Sequence, residues 1–252
     1  MKTVKNMIRA SFYKLFHDKA TWICLAGTVV WSLQVGLALI WIADEKPDLS
    51  DVMALEKFWM DFINYQAAMI PLLVSSIVLF TSEYKDKSWK LLIAKGASQA
   101  GYFFAKLLCI LCLEALICTI AILTGAAFTM LYLSVPMSAA YNGLVLRYLV
   151  AQLIAHGTMA VLILTVSFLV RNSEVSSSIN MILMIFGTMA LSKLEGALKI
   201  GDALTGCWAF AQHFHISFCG DSAWSRLILV FVGYLAVCSL AAILFSARRD
   251  VE

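Results

Sequence analysis

The 252-residue chain is 62% hydrophobic and only 14% charged, with a mean hydropathy of +0.85. A soluble domain of this size has too little interior to hide that much apolar surface, which excludes a water-soluble enzyme or regulator. The net charge of +3 is small and its basic residues gather in particular loops, a pattern of membrane topology and not of nucleic-acid binding.

The chain begins with an amphipathic segment over about residues 1–20. Val4, Met7, Ile8, Phe12, Leu15 and Phe16 fall mostly on one helical face, and Asn6, Arg9, Tyr13 and His17 take the other. Directly before a span, such a helix lies in the cytoplasmic interface with its basic residues near anionic headgroups. A plain membrane anchor and a contact with a partner protein both fit it.

Crossing about 30 Å of hydrocarbon at 1.5 Å per residue takes roughly 20 apolar residues. Six stretches qualify, over about 22–42, 62–80, 103–123, 146–170, 179–198 and 227–247. The fold class expected is therefore an all-α membrane protein of six transmembrane helices, forming one transmembrane domain over 1–252. The first stretch begins after about 20 residues and is long enough to span, so it reads as a retained anchor and not a cleaved signal. An acidic loop with Asp44, Glu45, Asp48, Asp51, Glu56 and Asp61 follows it. In the second stretch Pro71 can bend the helix, and Asn64, Gln66, Ser75 and Ser76 give it polar points. These four are candidates for lining a pathway, and equally for joining helices in lipid.

The loop from Thr81 to Lys106 is the most informative segment. Glu83 to Lys95 has helical character, Gly96 can end that helix in a left-handed cap, and Ser98 can cap the next one. Trp89, Leu92 and Ile93 form its apolar edge, while Lys85, Asp86 and Lys90 stay solvated.

The third stretch has an apolar extension to Leu133 and carries Glu114; the fourth carries His156. Counted at 1.5 Å per residue, the two lie roughly 16 and 18 Å from the inner ends of their helices, so their depths match. An unpaired carboxylate there is expensive, so the two side chains either pair, or Glu114 is neutral and bonded to a neighbouring group. The fifth stretch is interrupted near its outer end by Lys193, Glu195 and Lys199, which can leave it short or broken.

From Lys193 to Arg226 the chain is too apolar for a free loop, and Trp208, Phe210, Phe214, Ile216 and Phe218 suggest short helices dipping into the outer leaflet. Cys207 and Cys219 can close a disulfide on an oxidising side of the membrane. With His213 and His215 they make a Cys-x5-His-x-His-x3-Cys spacing that lacks a familiar zinc pattern, so no metal is assigned. Cys24, Cys109, Cys112, Cys118 and Cys238 lie within spans and read as small hydrophobes.

With both termini inside, thirteen of the nineteen Lys and Arg residues fall in cytoplasmic segments, from Lys2 to Lys19, Lys85 to Lys106, and Arg171 with Arg248 and Arg249. The positive-inside bias sets that orientation.

The chain resembles the permease subunits of type 2 ABC exporters. Such permeases have six spans, an amphipathic N-terminal helix, and a first cytoplasmic loop with an acidic residue, a Leu-rich short helix, a Gly-x-Ser turn and a following Lys. Glu83-Tyr84, Lys90-Leu91-Leu92, Gly96-Ala97-Ser98 and Lys106 match this pattern. Lys87-Ser88 stands where Gly-Thr is frequent in that family, and Gln99 where a basic residue often follows the Ser. The small size is similar to permeases of lantibiotic or bacteriocin self-protection. The resemblance implies outward movement of an amphipathic or hydrophobic substrate, such as an antimicrobial peptide, by two permease subunits. It also implies that Glu83, Tyr84, Trp89, Leu92, Ile93, Gly96 and Ser98 form a coupling helix seated on an ATPase.

The chain has no Gly-x-x-x-x-Gly-Lys-Ser/Thr phosphate loop, so ATP and Mg2+ belong to partner ATPase subunits and no cofactor is expected in this chain. An intramembrane enzyme would need an Asp pair or a His-Glu-x-x-His pattern at depth, and neither is present. A secondary transporter and a non-transporting sensor or scaffold remain the alternatives.

Overall fold

The computed structural model describes residues 2–42, 58, 59, 62, 74, 77, 83, 98–132, 138–212 and 221–249. Every regular element among them is helical. In chain order these are α1 (Lys2–His17), α2 (Lys19–Ile42), α3 (Gln99–Tyr132), α4 (Ala139–Val170), α5 (Ser173–Ile182), a π-helical turn (Leu183–Gly187) and α6 (Thr188–Leu198). A 3-10 turn (Thr205–Cys207) and α7 (Asp221–Arg249) complete them.

Five of these helical stretches are long and apolar enough to cross a membrane: Lys19–Ala38, Gln99–Leu131, Ala140–Val170, Glu174–Leu198 and Trp224–Phe245. The sixth stretch expected, over about 62–80, lies outside the described residues apart from Phe62, Val74 and Ile77.

Short polar side chains set the joints. Asp18 Oδ1 accepts from Ala20 N at 2.9 Å, which caps α2 and separates it from α1. Ser98 Oγ accepts from Gly101 N at 3.0 Å at the start of α3. Ser138 does the same for α4 through Tyr141 N, and Asn172 caps α5 by accepting from Glu174 N and Val175 N. Arg171 (φ 57°) and Lys199 (φ 55°) take the left-handed conformation that ends α4 and α6.

The π turn lets α5 and α6 run on as one path. Glu195, expected to interrupt it, is absorbed instead: its carboxylate accepts from Leu204 N at 2.6 Å and Thr205 N at 2.7 Å, and from the Thr205 hydroxyl. Those donors head the 3-10 turn, so a charge that looked disruptive is a cap for the next element.

α3 and α4 form the centre. α1 and α2 lean on α3, while α7 packs chiefly on α4 and more lightly on α3. Of the apolar window in α4, 67% is buried, against 11% for the α5–α6 path, which is left largely uncovered. α1 turns Met7, Ser11 and Leu15 inward against this centre, with Ile8 and Phe12 beside them; Phe16 is exposed. At the other end of the bundle Trp59, Phe62 and Phe128 fill a second core with Tyr141 and Tyr148.

α3 and α4 run antiparallel, and three polar contacts fix their register. Arg171 Nη2 donates to Gln99 Oε1 at 3.1 Å, His156 Nδ1 lies 3.1 Å from Glu114 Oε1, and the Thr129 and Tyr141 hydroxyls bond at 2.5 Å. Successive contacts are fifteen residues apart on each helix, or about 22 Å along the axis. The end pairs are thus about 45 Å apart, more than the hydrocarbon thickness, so they reach the headgroup levels when Glu114 and His156 sit near mid-membrane.

Candidate functional site

Two polar assemblies stand out on this frame, one at the α1 end and one at its centre.

At the α1 end, Glu83 is 8% exposed and its carboxylate is gripped from two helices. Tyr102 Oη donates to Oε2 at 2.6 Å and Lys106 Nζ to Oε1 at 2.5 Å, both from α3. Lys14 Nζ of α1 stands 3.6 Å from the same Oε1. Tyr102 and Lys106 are four residues apart, so a single face of α3 presents both. Burial pushes the Glu83 carboxyl up, but the Lys106 charge, the hydrogen bonds from Lys106 and Tyr102, and the Lys14 charge outweigh it and hold the group below its ordinary value. Glu83, one of the residues that the resemblance assigns to the coupling helix, is thus held by its carboxylate to α1 and α3.

At the centre, Glu114 and Cys118 of α3 face His156 of α4. Cys118 Sγ donates to Glu114 Oε1 at 2.9 Å and lies 3.4 Å from His156 Nδ1. Exposure is 1% for Glu114 and 0% for the other two. The three sit at the seam of the two cores, with Ile117 and Met159 on one side and Ile122 and Ala155 on the other. Gly157 lets α7 approach closely here: a Cβ on it would lie 3.2 Å from the Phe231 ring.

The structure thus brings Glu114 and His156 together, and adds Cys118, which the sequence reading passed over as a small hydrophobe. Its signal was available, since Cys118 is one helical turn from Glu114. Tyr102 and Lys14 were likewise not singled out. Of the loop residues assigned to coupling, Ser98 caps α3 as described, while Tyr84, Trp89, Leu92, Ile93 and Gly96 lie outside the described residues. Asn64, Gln66, Ser75 and Ser76 lie outside them too. Cys207 is exposed at the end of the 3-10 turn; Cys219, His213 and His215 are not among the described residues.

A family model described as ABC-2 family transporter protein matches residues 7–190, from within α1 to the start of α6. No curated protein matches the chain.

Proposed function

The chain belongs to the ABC-2 family of transporter proteins, and from that membership we propose that it is the permease subunit of an ATP-driven exporter. Permeases of this family work with ABC ATPase subunits. The observation that carries the reading is the family match over 7–190, which takes in most of α1, three of the apolar helical spans whole and part of a fourth.

In this reading the chain is a multi-pass protein of the cell membrane with both termini in the cytoplasm. The phosphate loop missing from its sequence is supplied by a separate ATPase, which holds ATP and Mg2+. The loop after Glu83 seats on that ATPase. Glu83 acts as the root of the loop, because a lever transmits force only if its base is rigid, and its carboxylate is bonded to α1 and α3. A second permease copy or a related chain completes the pathway, with the polar points Asn64, Gln66, Ser75 and Ser76 facing it. The substrate class is amphipathic or hydrophobic, with an antimicrobial peptide as the first compound to try.

Affinity purification of the tagged chain from its native membrane tests the reading. An ATPase subunit carrying a phosphate loop should copurify, and its hydrolysis should rise with substrate in reconstituted vesicles. Transport by the chain alone, driven by an ion gradient without nucleotide, would replace this reading with a secondary transporter.

A further inference from the structure

We propose that Glu114, Cys118 and His156 form an intramembrane binding site for one zinc ion that staples α3 to α4. Their donor atoms make a triangle of 2.9, 3.4 and 3.1 Å, and all lie within 4.8 Å of one another. Three corners of a zinc tetrahedron with sulfur, nitrogen and oxygen ligands are about 3.4–3.6 Å apart, given usual bond lengths of about 2.0–2.3 Å. An ion at the centre therefore asks the donors to part by at most about 0.7 Å, which side-chain rotation supplies. Carboxylate, thiolate and imidazole together are the donor set of a borderline-soft divalent cation and not of Mg2+ or Ca2+.

Charge supports the same assignment. A carboxylate near mid-membrane is costly unless compensated. Zinc bound by one carboxylate, one thiolate and one neutral imidazole gives a site with no net charge, the thiol proton leaving as the metal binds.

A second observation separates an ion site from a hydrogen-bonded triad. Glu114 Oε2 is buried and makes no hydrogen bond among the described residues. Gln152 is 0% exposed and neither atom of its amide makes one either. The register that pairs Glu114 with His156 places Gln152 of α4 level with Cys118 of α3, and Gln152 is one turn from His156 on the same face. Buried polar groups without partners are uncommon. The free carboxylate oxygen and the amide oxygen are the further donors that a three-ligand ion needs.

The test uses the full-length chain, purified in detergent or lipid nanodiscs and stripped with a chelator, with Co2+ as the optical probe. One Co2+ per chain should bind with thiolate-to-metal charge-transfer absorption, and Zn2+ should displace it stoichiometrically. Cys118→Ser should abolish the charge-transfer band, His156→Gln should weaken binding at least tenfold, and Cys112→Ser, at an exposed position on the same helix, should leave both unchanged. Zn2+ should raise the thermal midpoint of the unaltered protein and not that of Cys118→Ser. Absence of the band in the unaltered protein would overturn the proposal whatever the variants do. Its survival in a monodisperse Cys118→Ser protein would do the same, assigning the metal to another cysteine.

Discussion

Lys106 donates to Glu83 across 2.5 Å in a corner where Lys106 is 3% and Glu83 8% exposed. Removing one member of a buried pair leaves the other charge uncompensated, which costs about 3–5 kcal/mol. Glu83→Ala is therefore expected to lower the thermal stability of the purified chain by that order. Pairing it with Lys106→Met should recover a good part of the loss, because the stranded ammonium is then gone. Equal loss in the single and double variants would show that the pair does not hold the loop.

The same corner gives stability a pH dependence. Burial raises the Glu83 carboxyl, yet the Lys106 charge and the hydrogen bonds around it bring it below its ordinary value of 4.5. A group depressed in the folded state contributes stability that is fully present above the unfolded value and disappears as pH falls through the folded one. The thermal midpoint should thus fall as pH drops below about 4.5, and fall less steeply in Glu83→Gln. Parallel curves for the two proteins would reject Glu83 as the source.

Gly125 is where the second core meets α3. A Cβ there would lie 2.9 Å from the Phe62 ring and 3.0 Å from Trp59, and both rings are almost wholly buried. Gly125→Ala should cost about 1–3 kcal/mol by overpacking. Gly27→Ala, with open space around its position in α2, should cost nothing measurable. Unfolding of the two variants in detergent compares them directly.

Much of the helical layout was legible because hydrocarbon imposes a one-dimensional rule: enough consecutive apolar residues must span it. The facing of helices was not, since hydropathy around α3 and α4 is nearly uniform. Rise per residue set Glu114 and His156 at matching depth, but only the three-dimensional structure supplies the rotation that turns them toward each other with Cys118 beside them. Charges misled in the same way. Glu195 resembles a break, and is absorbed by Leu204 and Thr205 nine and ten residues on. Glu83 stands in the sequence only as a member of the coupling loop, and is claimed by Tyr102 and Lys106 from nineteen and twenty-three residues away.

The hold of α1 and α3 on Glu83 sharpens the prediction about the loop beyond it. If Glu83 roots the loop while Trp89, Leu92 and Ile93 fill an apolar groove on the ATPase, the two sets of residues should fail differently. Leu92→Asp places a charge in the contact, where a central anchor is worth about 2 kcal/mol or more, or roughly thirtyfold in affinity. It should release the ATPase and leave insertion and thermal stability of the chain as they were. Glu83→Ala should lower stability and coupling together, because the lever is then loose at its base. ATPase pull-down, substrate-stimulated hydrolysis and the thermal midpoint, measured on both variants, separate the cases. Unchanged ATPase binding and hydrolysis in Leu92→Asp would remove the loop from the interface and leave the coupling contact to be sought elsewhere on the chain.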